Sequence, residues 1–118
     1  MLLRTLLITL ISGLCLGSLM AQSTPKRILV FPKTAGYRHA SIPKGQATLF
    51  KLGKEHGFAV DTTENAALFT EANLKRYSSV VFLNTTGNVL DDVQQVAFER
   101  YIQAGGGYVG IHAATDTE

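Results

Sequence analysis

The sequence predicts an α/β fold, a doubly wound parallel sheet with helices on both faces in three α/β/α layers. Three observations carry that prediction. Two short runs, Ile28 to Phe31 and Val80 to Leu83, are apolar at every position, as in strands covered on both faces. Segments with helical spacing and end signals separate the strand-like runs. The resulting order, β-α-β-α-β-α-β, favours parallel strands joined by right-handed crossovers.

Each element has its own local signal. "KRILVFP" reads as the first strand, closed by Pro32 and the loop "KTAGYRHAS". "IPKGQATLFKLGKEHG" reads as a helix, with Pro43 suited to its first turn and Gly57 to its C-terminal cap. Ile42, Leu49, Phe50 and Gly53 share one stripe of that helix, predicted to face the sheet. His56 lies in its last turn, where the helix dipole favours a cation.

"FAVDTT" reads as a second strand and "TEANLKRY" as a short helix capped by Thr70. "SVVFLN" is the third strand. Asp91 and Gln94 then have capping-box spacing. Val93, Val96, Ala97, Arg100 and Tyr101 recur at intervals of three and four, with the Arg100 tip directed to solvent. Gly105 to Gly107 end this third helix, and "YVGIH" is a fourth buried-type strand. A doubly wound sheet usually has at least five strands, so residues 27–118 are expected to be the N-terminal, C-terminally incomplete part of a longer domain.

The chain has 118 residues, enough for one small domain. Residues 1–21 follow the plan of a secretory signal peptide: Arg4, an apolar stretch from Leu6 to Met20, and Ala21 before the polar residues 22–26, read as a linker. The apolar stretch falls short of the roughly 20 residues of a spanning helix, so export to the periplasm or medium is expected, with no stable membrane span. Cys15 is the only cysteine, and Leu14 stands where a lipoprotein processing signal wants a small residue. A processed chain would carry no thiol, which excludes disulfides, thiolate metal sites and cysteine nucleophiles. The net charge is +2, and without Arg4 it falls to +1. No basic cluster follows one face, which argues against a nucleic-acid partner.

Ligands of open parallel sheets bind beyond the carboxyl ends of the strands. Three segments fall there: "KTAGYRHAS", "NTTGNV" and "HAATDTE". In the first, Arg38 offers a bidentate anion contact beside the helix start at Ser41, Tyr37 an aromatic surface, and His39 an acid/base group or metal ligand. Asn84, Thr85 and Thr86 in the second suit hydrogen bonds to sugar or phosphate, though such residues also fill ordinary turns. A phospho-receiver domain would need an aspartate where Asn84 stands. A lone histidine after a strand, as at His112, is more often structural than catalytic. Two histidines on loops that flank the same strand, as in the strand order 2-1-3-4-5, change that balance. His39 and His112, with Asp116, are compatible with part of a metal site, a histidine–carboxylate pair or a polar wall for a sugar. No tight metal motif is present, so no metal is assigned and no cofactor is named. The Tyr, Arg and His of the first loop also differ from the Ser-, Thr- and Gly-rich phosphate loop of a flavin binder.

Three stretches, "ILVFPKTAGYRHASIPKG", "GFAVDTTENAALFTEANLKRYSSVVFLNTTGNVL" and "QQVAFERYIQAGGGYVGIHAATDTE", together resemble the ThuA-like, or trehalose-utilisation, family. That resemblance implies a flavodoxin-like sheet of the class I glutamine amidotransferase-like type. It also implies secretion, carbohydrate utilisation, a sugar or sugar derivative as ligand, and an associated or fused dehydrogenase or cytochrome domain. Amidotransferases of that fold carry a cysteine in an elbow resembling G-x-C-x-G. Gly110, Ile111, His112, Ala113 and Ala114 stand there instead, with histidine in the nucleophile's place. The resemblance therefore implies a functional position at His112 without glutamine hydrolysis. His39 and His112 become the candidate catalytic groups, and Tyr37, Arg38, Asn84, Thr85 and Asp116 the candidate substrate contacts. The alternative is a non-catalytic carbohydrate-binding or scaffold module of a larger multidomain protein.

Overall fold

The computed structural model describes residues 23–117. The expected signal peptide lies outside the described residues, apart from which the elements follow the predicted order. They are β1 (Arg27–Phe31), α1 (Ile42–His56), β2 (Ala59–Thr62), α2 (Glu71–Leu74), β3 (Ser79–Leu83), α3 (Asp92–Gln103) and β4 (Gly107–Ile111). Short 3-10 turns at Ala66–Leu68 and Ala114–Asp116 complete the set. All four strands are parallel, in the order β2-β1-β3-β4.

Strand alternation sorts the apolar runs into two cores. Leu29 and Phe31 of β1 and Val80 and Phe82 of β3 face α2 and α3, where they meet Phe69, Leu74, Tyr77 and Tyr101. The next residues along each strand, Val30, Val81 and Leu83, face the other way and pack with Leu49 of α1, Val60 and Ile111. An unbroken apolar strand is thus the sequence trace of a sheet covered twice. Phe31 centres the larger core, with its ring 4.5 Å from Phe69 and 5.5 Å from Phe82.

Helix ends follow the sequence signals. Gly57 caps α1 in the left-handed region at φ 73°. Thr70 accepts a hydrogen bond from Asn73 N at the start of α2. Asp91 and Gln94 form the reciprocal capping box of α3. Close approach of α1 to the sheet depends on small residues: a Cβ at Gly53 would lie 2.7 Å from Phe58 O and from Val60 Cγ2.

Four expectations need correction. Phe50 is 46% exposed, because α1 meets the sheet through Ile42, Gly45, Leu49 and Gly53, and Phe50 falls off that line. Val93 is 79% exposed, since α3 packs through Ala97, Phe98 and Tyr101. The α2 helix ends at Leu74 because Tyr77 turns inward, where its hydroxyl donates to Asp61 Oδ2 at 2.9 Å. β4 is not a buried strand: it pairs only with β3, which leaves Tyr108 and Val109 half-exposed. Arg100, expected to reach solvent, does so while pairing with Glu71 of α2.

Two outcomes follow from this packing. Phe31→Ala should lower unfolding free energy by about 3–5 kcal/mol in urea titrations; a loss below about 1 kcal/mol would contradict its central place. Burial raises the Tyr77 hydroxyl above the ordinary tyrosine value, and its hydrogen bond to Asp61 adds to the rise. Burial raises Tyr101 likewise. Above pH ~10 the unfolded tyrosines release protons that the folded chain retains, so stability should fall with pH there. That contribution is complete below the unfolded value and lost as pH rises through the raised folded one. Urea midpoints should decline more shallowly over this range in Tyr77→Phe than in the parent chain.

Candidate functional site

Parallel pairing brings the segments after β1, β3 and β4 to one edge of the sheet. The first leaves Phe31 through buried Pro32 and is fastened to the third-strand segment by an isolated parallel bridge, Thr34 to Thr86. It then climbs to α1, whose first turn begins with Ile42 N donating to His39 O at 3.3 Å. That bond holds His39 at the helix start, half-buried. Tyr37 projects beside it, 72% exposed, its ring edge-on to His39 at 4.9 Å between centroids.

β4 delivers the second histidine. After Ile111 the chain enters the left-handed region at His112, φ 27°, and Ala113, φ 59°. Asn84, at the end of β3, is also left-handed at φ 54°, and its N–H donates to Ile111 O at 3.0 Å. These are the positive-φ residues other than glycine among those described. Such conformations cost of order 1–3 kcal/mol each and persist only where the surroundings enforce them. Here they form an elbow that turns His112 toward the first loop. The His39 and His112 rings meet edge to face, 4.6 Å between centroids with an interplanar angle of 79°. Tyr37, His39 and His112 thus make a continuous line of rings over the end of β3.

The other predicted contacts separate into two groups. Asn84 and Asp116 belong to the segments around the pair, but Asn84 is buried and Asp116 is exposed on the turn after the elbow. The Asp116 backbone accepts from Gly87 N and donates to Ala113 O, at 2.8 Å each. Among the described residues, no group of three or more His, Cys, Asp or Glu is placed to hold a metal ion. Arg38 and Thr85 are committed elsewhere. Arg38 makes a bidentate pair with Glu64 at 2.8 and 3.3 Å, so its guanidinium does not point freely at a ligand. Thr85 is fully buried, and its hydroxyl lies 2.6 Å from that of Thr117. It braces the elbow loop from beneath.

Sequence reasoning missed Glu64 and the bracing role of Thr86. Glu64 follows β2, at the opposite edge of the sheet from β4, and only the folded sheet brings it to Arg38. A cavity of about 540 Å³ lies elsewhere, lined by residues such as Lys75, Tyr77, Arg100 and Gly106. That is the amino-terminal end of the strands, whereas parallel sheets bind ligands at the carboxyl end. The histidine pair is the better candidate despite its openness.

Residues 27–118 match the family described as ThuA, trehalose utilisation. The chain belongs to the ThuA family. It is also similar to a solved thua-like protein from Bacteroides uniformis ATCC 8492, with 32% identity and a TM-score of 0.63. The match covers 80% of this chain and 38% of that one, so this chain spans well under half the length of its solved relative. None of the curated proteins compared with the chain matches it. The ThuA assignment agrees with the parallel α/β sheet and places the histidine elbow within the matched region.

The strained elbow has a direct consequence. Ala113→Gly should raise stability by about 1 kcal/mol, because glycine adopts the left-handed region without a Cβ clash. Denaturant midpoints compare the two chains; an unchanged or lower midpoint would show that Ala113 is not strained.

Proposed function

We propose that this ThuA chain is exported and takes part in carbohydrate utilisation, binding or processing a sugar or sugar derivative at the His39–His112 pair. The observation that carries the proposal is the meeting of the two imidazoles beyond the carboxyl ends of parallel strands, one of them on a strained elbow. Histidine suits general acid/base work because its ring can take up a proton at one nitrogen and release one from the other. One ring could accept a hydroxyl proton from a sugar while its neighbour donates one. Tyr37 offers an exposed aromatic face against which a sugar ring can stack. Asn84 and Asp116 would add polar contacts around the rim, with Arg38 available if a ligand displaces Glu64. Family membership supports the sugar class, and the apolar leader before the polar run at residue 22 supports export.

The position of His112 also bears on which reaction is proposed. With histidine in the elbow and Cys15 inside the expected leader, thioester chemistry on glutamine has no nucleophile in the processed chain. Among the described residues no helix is long and apolar enough to cross a membrane. A fused or associated dehydrogenase or cytochrome domain remains part of the proposal for the longer protein.

A second reading is favoured by one observation: His112 and Tyr37 are exposed, whereas catalytic groups usually act with water excluded. The histidine pair would then serve a non-catalytic carbohydrate-binding module. Calorimetry with trehalose and related sugars, paired with product analysis, separates the two. Turnover that vanishes in His39→Ala/His112→Ala while the fold persists supports the enzyme. Binding without product supports the module, and turnover unchanged by both substitutions removes the histidines from the mechanism.

A further inference from the structure

We propose that Thr86 is a positioning residue that sets the separation of His39 and His112. The inference rests on the sugar site proposed at that pair, although its geometric half stands on the loops alone. Asn84, Thr85 and Thr86 are the polar residues buried among those described, all at the end of β3. A buried run of this kind at a strand end needs partners for its polar groups, and the partners lie on the two histidine-bearing loops.

On one side, Thr86 grips the loop that carries His39. Its carbonyl accepts from Ala35 N at 2.8 Å and Gly36 N at 3.2 Å, and its hydroxyl donates to Tyr37 O at 2.8 Å. Three bonds to three consecutive residues leave that loop little freedom up to the residue two places before His39. The contact is close as well as bonded. A Cβ at Gly36 would lie 3.3 Å from Thr86 Oγ1, and one at Gly87 would lie 3.3 Å from Gly36 N.

On the other side, the same run grips the loop that carries His112. Asn84 N–H bonds Ile111 O just before the elbow, and Gly87 N–H bonds Asp116 O just after it. The Thr85 and Thr117 hydroxyls close the bracket from below. Two surface segments are thereby fastened to one strand end, and the ring spacing follows from that strand. Of these bonds, the Thr86 hydroxyl is the one that a single side-chain change removes from the His39 loop without altering the backbone. Valine keeps the β-branched shape and leaves Tyr37 O without its donor. Small displacements of positioned groups are costly to what those groups do at a site.

The test uses the full chain in solution. Nuclear Overhauser contacts between the His39 and His112 ring protons report the spacing, and calorimetry with trehalose reports the site. Thr86→Val should weaken or abolish the ring contact and lower trehalose affinity roughly tenfold, the loss expected for one hydrogen bond that orders the site. Thr86→Ser, which restores the hydroxyl, should recover both. An undiminished ring contact in Thr86→Val would overturn the inference. If the parent chain shows the ring contact but binds no trehalose, the sugar reading fails and the ring contact alone decides the positioning role. Should Thr86→Val not fold, amide exchange in the parent chain decides instead. Slow exchange at Ala35 and Gly36 supports the grip, and exchange at open-loop rates overturns it.

Discussion

Because β3 runs parallel to β1 on one side and to β4 on the other, three loops that are distant in sequence leave the sheet at the same edge. The registers Phe31 to Phe82 and Leu83 to Ile111 bring the strand ends level. Everything proposed for this chain depends on that pairing. An antiparallel β4 would carry His112 to the far end of the sheet, and a slip of one residue would turn every side chain of the strand to the opposite face. Side-chain fit holds the register: Val80 and Phe82 pack into one core, and Val81 and Leu83 into the other.

The candidate site sits where local backbone preference yields to this tertiary demand. Asn84, His112 and Ala113 occupy a conformation that glycine adopts more readily, and they lie together. Cores and caps elsewhere in the chain obey local rules, as at Gly57, Thr70 and the Asp91–Gln94 box. Backbone strain in proteins clusters at functional sites, which is the reason for proposing this edge as the site. The same edge carries two imidazoles and an exposed tyrosine, the surface proposed as the sugar site.

Much of this was legible from the residues because it depends on near neighbours. Strand positions followed from apolar runs, helix ends from proline, glycine and capping spacing, and the convergence of His39 and His112 from the rule that ligands gather beyond parallel strands. What escaped depends on contacts between distant segments. The Arg38 guanidinium looks free in "GYRHAS" because Glu64, its partner, lies beyond the first helix and second strand. Thr85 and Thr86 look like turn residues, yet they are buried because loops from both sides fold over them. Phe50 and Val93 have the right spacing to face a sheet but fall just off the line along which each helix touches it.

The account stands on the two imidazoles acting on one ligand. A double-mutant cycle over His39 and His112, read as trehalose affinity, measures that most directly. The account predicts non-additive losses, with a coupling of at least about 0.5 kcal/mol between the two positions. Losses that add within error, or single substitutions that leave affinity unchanged, would show that the rings meet without sharing a function.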